Sequence, residues 1–270
     1  WPPPSCLDQP MDTPPTRHPP YPVDVRRRDP DREPPPPAGG VETFDTDNAF
    51  AINRARMGHL ESLGLPLDGK TVLDVGSGVG HLAQFFVGHG CRVLSVDARA
   101  SNIESLRSRY PGLEAHVLDV ETEPLSAFGS FEVVFCYGLL YHLEDPLAAL
   151  RNIASVCDGT LLLETVVCDH SEPLLVLVDE SVVSNQALSG LGCRPSPAYV
   201  TMALNRAGFP HVYAPHEPPD HPEFRFEWRN DLAHVREGRN LRCMFIASRS
   251  ELRTDTLAPL LSVAGGEPGK

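Results

Sequence analysis

At 270 residues the chain is long enough for one sizeable α/β domain with a buried core, and short for two. Its formal charge of −13 argues against a nucleic-acid partner, because a polyanion is held through a basic surface that releases counterions. Seven scattered cysteines, an odd number with no C-x-x-C pair, read as a reduced cytoplasmic chain without a disulfide framework or metal site, and no run suits a bilayer span or a secretory leader.

Residues 1–40 hold fourteen of the 28 prolines, together with Arg26, Arg27 and Arg28. So few apolar side chains cannot offset the entropy of ordering, and a disordered, proline-rich tail is expected. From Val41 the proline density drops and apolar periodicity begins, so the domain is expected over 41–250, with 251–270 as a second tail. The spacing of Ile52, Met57, Leu60 and Leu63 predicts a helix over 47–63, capped by Asp47 and stopped by Gly64 and Pro66. Thr71 to Val75 is an apolar run ending at a glycine cluster, hence a buried strand.

A helix is then expected over 80–90, a strand over 92–96, a helix over 101–110 and a strand over 113–118. The alternation continues with a strand over 131–136, a helix over 145–156 with Pro146 in its first turn, and a strand over 160–164. Beyond Val166 the pattern loosens into an insertion expected to cap the site. A helix opening at Ser196 and Pro197 and ending near Gly208, a strand over 211–214 and a last strand over 241–248 complete the chain. Such alternation with short links implies a doubly wound, mostly parallel sheet with helices on both faces; no internal repeat is present.

The chemistry is concentrated in Asp74-Val75-Gly76-Ser77-Gly78-Val79-Gly80, between the first strand and its helix. Glycines there let the backbone turn tightly and approach a ligand, while the helix start offers unpaired N–H groups. A dinucleotide fingerprint needs glycine where His81 stands, so NAD is disfavoured. Asp74 places a carboxylate where it can orient the ammonium of an amino-acid-like ligand. Asp97, about twenty residues past the first glycine, ends the second strand where an acid can accept from ribose hydroxyls. Asp119 follows the third strand, positioned for an adenine amine, with the Val120 N–H available to the ring.

These motifs resemble the class I S-adenosylmethionine-dependent methyltransferases, with their D-x-G-x-G-x-G turn and acids after strands two and three, over Val41 to Ser248. The resemblance implies a seven-stranded Rossmann-like methyltransferase fold and S-adenosylmethionine as cofactor. It implies that Asp74, Gly76, Ser77, Gly78 and Gly80 cradle the methionine moiety, that Asp97 binds ribose and Asp119 adenine, and that the segment from Phe131 to Leu143, with Tyr137, faces cofactor and substrate. His142 is the candidate general base, and a packing role is the alternative. Tyr141, Glu164, Thr165, Asn185 and Gln186 are candidates for the acceptor pocket, since ligands gather outside the carboxyl ends of such sheets.

Planar bases are disfavoured as acceptors, because Cys136-Tyr137-Gly138-Leu139 stands where base-amine methylases carry an Asn/Asp-Pro-Pro-aromatic tetrad. Gly138 to His142, Leu161 to Thr165 and Pro195-Ser196 are also similar to the tRNA wobble-uridine alkyltransferases. The acidic charge ranks a small-molecule acceptor first, a tRNA or protein acceptor second. A non-catalytic cofactor-binding protein is the third reading.

Overall fold

The computed structural model describes residues 40–180 and 186–260. The expected tail over 1–40 therefore lies almost wholly outside the described residues, as does Asn185.

A short 3-10 turn over Val41–Asp45 leads into α1 (Asp47–Ser62). Thr46, not Asp47, caps this helix, its side chain accepting from the Ala49 N–H. Then β1 (Thr71–Val75), α2 (Ala83–Gly88), β2 (Arg92–Asp97), α3 (Ala100–Arg109), β3 (Glu114–Val117) and β4 (Phe131–Tyr137) follow in strict alternation until β4. α2 is shorter than expected because Gly80 and Gly90 both sit at positive φ, which closes the helical register at each end. α4 (Pro146–Val156) starts at Pro146 with Asp145 capping the Ala148 N–H, and it feeds β5 (Cys157–Val167). β5 is longer than expected because it pairs with β4 on one side and along most of its length with an antiparallel neighbour on the other.

The loose segment beyond Val167 is a two-stranded antiparallel ribbon, β6 (Leu175–Asp179) and β7 (Leu191–Pro195). After it come α5 (Pro197–Ala207), β8 (His211–Pro215), the short α6 (Ala233–Arg236), β9 (Leu241–Ser248) and β10 (Leu257–Pro259). Ser196 caps α5 and Gly208 ends it in the left-handed conformation.

The main sheet has eight strands in the order β10-β8-β9-β5-β4-β1-β2-β3. The five from β3 to β5 run parallel, while β9, β8 and β10 join antiparallel. The sheet is thus mixed, with one strand more than the seven expected. The extra strand comes from residues expected in the C-terminal tail, since Leu257–Pro259 pairs with β8.

Strand alternation divides the core between two faces. Leu73, Val134 and Leu163 pack on one face with α4 and α5; Val72, Phe135 and Leu162 pack on the other with Ile52 and Leu60 of α1. The same alternation sends Asp74, Tyr137 and Glu164 to the α1 face, the first two at the carboxyl ends of β1 and β4 and Glu164 on β5 opposite Tyr137. Three polar side chains are therefore buried side by side under a helix, which requires partners for them.

Candidate functional site

Strand order reverses between β1 and β4, and the crevice of such a sheet lies there, beyond the strand ends. The turn after β1 folds back onto β2, with the Gly76 and Ser77 N–H groups donating to the Val96 carbonyl at 2.8 and 3.0 Å. The Gly78 N–H donates to Asp97 Oδ2 at 2.9 Å. These amides shape the turn and are spent on it. Gly76 and Gly78 have positive φ, and a Cβ on them would stand 2.8 Å from Leu139 Cβ and 2.6 Å from the Phe44 ring. Only glycine fits against such close walls.

Asp97 Oδ1 accepts from the Arg99 N–H and from Asn102 Nδ2 at 2.9 and 3.0 Å. Burial raises the Asp97 carboxyl above the usual carboxylate value against these hydrogen bonds. Asp119 takes the Glu121 N–H at 3.0 Å and the Thr122 hydroxyl at 2.9 Å. Each carboxylate keeps lone pairs for a further donor.

Asp97, Asp119 and Val120 line one crevice, narrow at about 80 Å³, with the apolar side chains of Leu118, Leu139 and Leu143 as its other walls. Its roof includes Gln186 and Leu188, and Arg99 donates to the Gln186 and Ala187 carbonyls. Asp74 is fully buried beside Asp97 and, contrary to the expectation from sequence, lines neither cavity. Desolvation, then the Asp97 charge, push its pKa up to about 7, while Ser95 Oγ is 3.5 Å away. Gly80 lines neither cavity; a Cβ there would meet Leu106, so it brings the turn onto α3.

A second cavity of about 420 Å³ adjoins the first, and Phe44, Gly76, Gly138, His142 and Gln186 belong to both. Ser77, Tyr137 and Tyr141 line this larger space, together with Glu180 and Arg194 from the ribbon. Among the described residues, the buried Arg56 Nε, Ser77 Oγ and His142 Nε2, all on residues that line this cavity, have no hydrogen-bond partner. Three such orphans on the residues of one cavity give its wall unspent polar capacity that a polar occupant would satisfy. His142 Nδ1 is 2.5 Å from Glu180 Oε2, and Arg194 Nη1 donates to Glu180 Oε1 at 3.1 Å. Burial works against the Glu180 charge, but His142 and Arg194 outweigh it and hold the carboxyl below its usual range. Burial likewise lowers the His142 pKa; Glu180 opposes this, while Arg194 and Arg242 add to it.

Glu164 lies outside both cavities. It is fully buried and ion-paired to Arg56 of α1 and to Arg242 of β9, the latter at 3.0 Å. Desolvation raises its carboxyl, yet the two guanidiniums prevail and keep it ionised. Thr165 is buried in the β5–β9 pairing with its hydroxyl 3.2 Å from the Val166 carbonyl, and lines neither space. Glu164 instead holds the wall, because Arg56 and Arg242 themselves line the larger cavity.

Sequence reasoning missed Phe44, Arg99, Glu180 and the arginines. For Phe44 a signal existed, an aromatic just inside the domain boundary. Asp45 beside it is bonded to Arg109 at 2.7 Å and to His81 Nε2 at 2.8 Å, which fastens the leading turn to α3 and to the residue after the glycine turn. Arg109 first, then His81, hold the Asp45 carboxyl well below the usual range.

A family model described as "Methyltransferase domain" matches residues 48–216. Among curated proteins, the tRNA U34 carboxymethyltransferase of Alteromonas mediterranea is 31% identical over 157 residues, covering 54% of this chain and 46% of the relative. That of Cronobacter sakazakii is 32% identical over 154 residues, covering 54% and 47%. The chain spans about half the length of the curated relatives it matches. Among solved structures, the N-terminal domain of EvdMO1, in the presence of SAH and D-fucose, superposes with a TM-score of 0.57 at 23% identity, over 75% of this chain and 84% of that one. Magnesium protoporphyrin IX methyltransferase from Synechocystis with bound SAM gives 0.50 at 18% identity, over 78% and 84%.

Proposed function

The chain belongs to the methyltransferase-domain family and has the fold of the class I S-adenosylmethionine-dependent enzymes, and from that premise we propose that it methylates a small-molecule acceptor held in the larger cavity. The observation that carries this reading is the pair of adjoining spaces, one edged by the Asp97 and Asp119 carboxylates and one with orphaned polar atoms, meeting at Gly76, Gly138 and His142.

The residues present fit the cofactor. Asp97 would accept from ribose hydroxyls, Asp119 and the Val120 N–H would serve the adenine, and Leu118, Leu139 and Leu143 would give the ring apolar walls. Ser77 Oγ would offer an unspent polar group at the methionine end, and Asp74, buried beneath the turn and lining neither cavity, would act on an ammonium there through its charge. When bound, S-adenosylmethionine supplies a methyl group already activated by its sulfonium. The protein's part is to position the acceptor and exclude water, which can account for much of such an acceleration. Tyr137, Tyr141 and Gln186 line the space an acceptor would fill. The fold neighbours named with SAH or SAM support the cofactor assignment.

The tRNA acceptor of the curated relatives is the second reading. Against it stand the −13 charge and the half-length match. Calorimetry is expected to give micromolar binding of S-adenosylmethionine, about −8 kcal/mol, with no heat from NAD. Asp97→Asn is expected to weaken that binding. Methyl-labelled cofactor should then mark a metabolite fraction rather than bulk tRNA. Label in tRNA would promote the second reading, and binding without transfer to either would leave a cofactor-binding protein. No helix among the described residues is long and apolar enough to cross a membrane, and a cytoplasmic setting is part of the proposal.

A further inference from the structure

The larger cavity is edged by an imidazole with one nitrogen satisfied and the other bare. His142 follows β4 in a 3-10 turn, Leu140–His142. The ribbon comes down on this turn: Cys193 Sγ is 3.4 Å from the Leu140 carbonyl, and a Cβ on Gly192 would stand 2.6 Å from the Tyr141 carbonyl. That approach brings Glu180 to His142 across 38 residues of sequence.

An ionised carboxylate only accepts hydrogen bonds, so the nitrogen at 2.5 Å from Glu180 carries the proton. In the neutral ring Nε2 is then a lone pair. A buried polar atom without a partner costs about 1–3 kcal/mol. His142 Nε2 has no partner among the described residues; His59 Nδ1 and His234 Nδ1 are unpartnered as well, and what sets His142 apart is that its ring lines both cavities. The charged groups facing the ring are Glu180 at the end of β6, Arg194 of β7 and Arg242 of β9.

We propose that the acceptor is a hydroxyl compound, methylated on oxygen, with His142 Nε2 as the general base and Glu180, braced by Arg194, as the residue that fixes its tautomer. The proposal rests on the methyl-transfer reading above and deepens it. An amine acceptor arrives with its own lone pair and needs no base, whereas a hydroxyl must lose its proton as it reacts. The hydroxyl oxygen bonds to the methyl carbon while the carbon–sulfur bond breaks, its electron pair staying on sulfur. The hydroxyl proton passes to Nε2. The imidazolium so formed lies against the Glu180 carboxylate, and charge is conserved: a sulfonium is lost and an imidazolium gained.

Two measurements on the full chain test this. In protein labelled with ¹⁵N-histidine, the His142 resonances with S-adenosylhomocysteine bound are expected to show a neutral ring protonated on Nδ1 at pH 7. Glu180→Gln should mix the tautomers, and Glu180→Asp should largely restore the single one. An imidazolium at pH 7, or a proton fixed on Nε2, overturns the proposal without any acceptor being known. In the second, S-adenosylmethionine carrying a ¹³C methyl is incubated with a small-metabolite extract, and the shift of the transferred methyl distinguishes O–CH₃ from N–CH₃ and C–CH₃.

An oxygen-bound methyl supports the proposal. So does a fall in kcat of roughly 100-fold or more for His142→Gln, with S-adenosylhomocysteine affinity kept within about threefold. In the wild type the acid limb of kcat/KM should lie below the ordinary imidazole value. Because Glu180 raises the His142 pKa, Glu180→Gln should move that limb to lower pH and lower the plateau. Methyl on nitrogen or carbon, or an O-methyl product formed equally well by His142→Gln, overturns this inference alone. No transferred methyl in any fraction, with cofactor still bound, overturns it together with the methyl-transfer reading.

Discussion

Asp74 carries a buried carboxyl whose pKa is pushed up to about 7 by desolvation first and by Asp97 second. Its folded value exceeds its unfolded one, so the folded protein holds this proton more tightly between about pH 4 and 7. The stability tied to it is complete below the unfolded value and is lost as pH rises through the folded one. Asp74→Asn is therefore expected to gain on the wild type by up to a few kcal/mol as pH climbs through that window, read by denaturant unfolding without cofactor. The same substitution should weaken S-adenosylmethionine binding, because an ammonium offsets a carboxylate and not an amide. Asp97 and Asp119 could be placed at the crevice from the sequence because one ends a strand of a parallel sheet and the other lies two residues past one, and strand ends meet at a crevice whatever the loops do. Glu164 ends only the part of β5 that pairs with β4, and its role could not be read. Its partner Arg56 stands 108 residues away, and nothing in local pattern says that a carboxylate is to be consumed by two guanidiniums.

The leading 3-10 turn has no buried residue of its own, yet it brings Phe44 against Gly78 and into both cavities. What holds it is Asp45, clamped by Arg109 of α3 and by His81. Asp45→Ala is expected to leave the sheet intact and to raise the Kd for S-adenosylmethionine roughly threefold to tenfold by calorimetry. High salt should reduce the difference, because the pair is part exposed. Helical periodicity located α1, α3, α4 and α5 to within a few residues. The ribbon escaped it: β6 and β7 are joined by a connection without apolar period, and Glu180 at the end of β6 carries no mark in the sequence. The start of the domain near Val41 was legible as a fall in proline density, while the contact that turn makes with a loop over thirty residues later was not.

Across the molecule, Glu164 ties α1 to β5 and β9, since Arg56 and Arg242 meet on its two oxygens and Arg242 reaches Glu223 besides. Taking the charge from the centre leaves the buried Arg56 without a carboxylate and Arg242 with Glu223 alone, which costs more than the pairing itself contributes. Glu164→Gln is expected to destabilise the fold by about 3–5 kcal/mol in equilibrium denaturation, and to deform the larger cavity that both arginines line. The parallel half of the sheet was readable from βαβ alternation. Its antiparallel completion by β10 was not, because three residues beyond the last long strand show no period and are strand only by virtue of the edge that β8 offers.

Five residues, Phe44, Gly76, Gly138, His142 and Gln186, serve as a party wall between the two cavities. Whatever orders that wall for one tenant orders it for the other. The two ligands should accordingly bind with positive cooperativity, and by thermodynamic linkage the factor by which the spent cofactor tightens the acceptor must equal the factor by which the acceptor tightens the spent cofactor. A factor of one in both titrations would show that the shared wall carries no coupling.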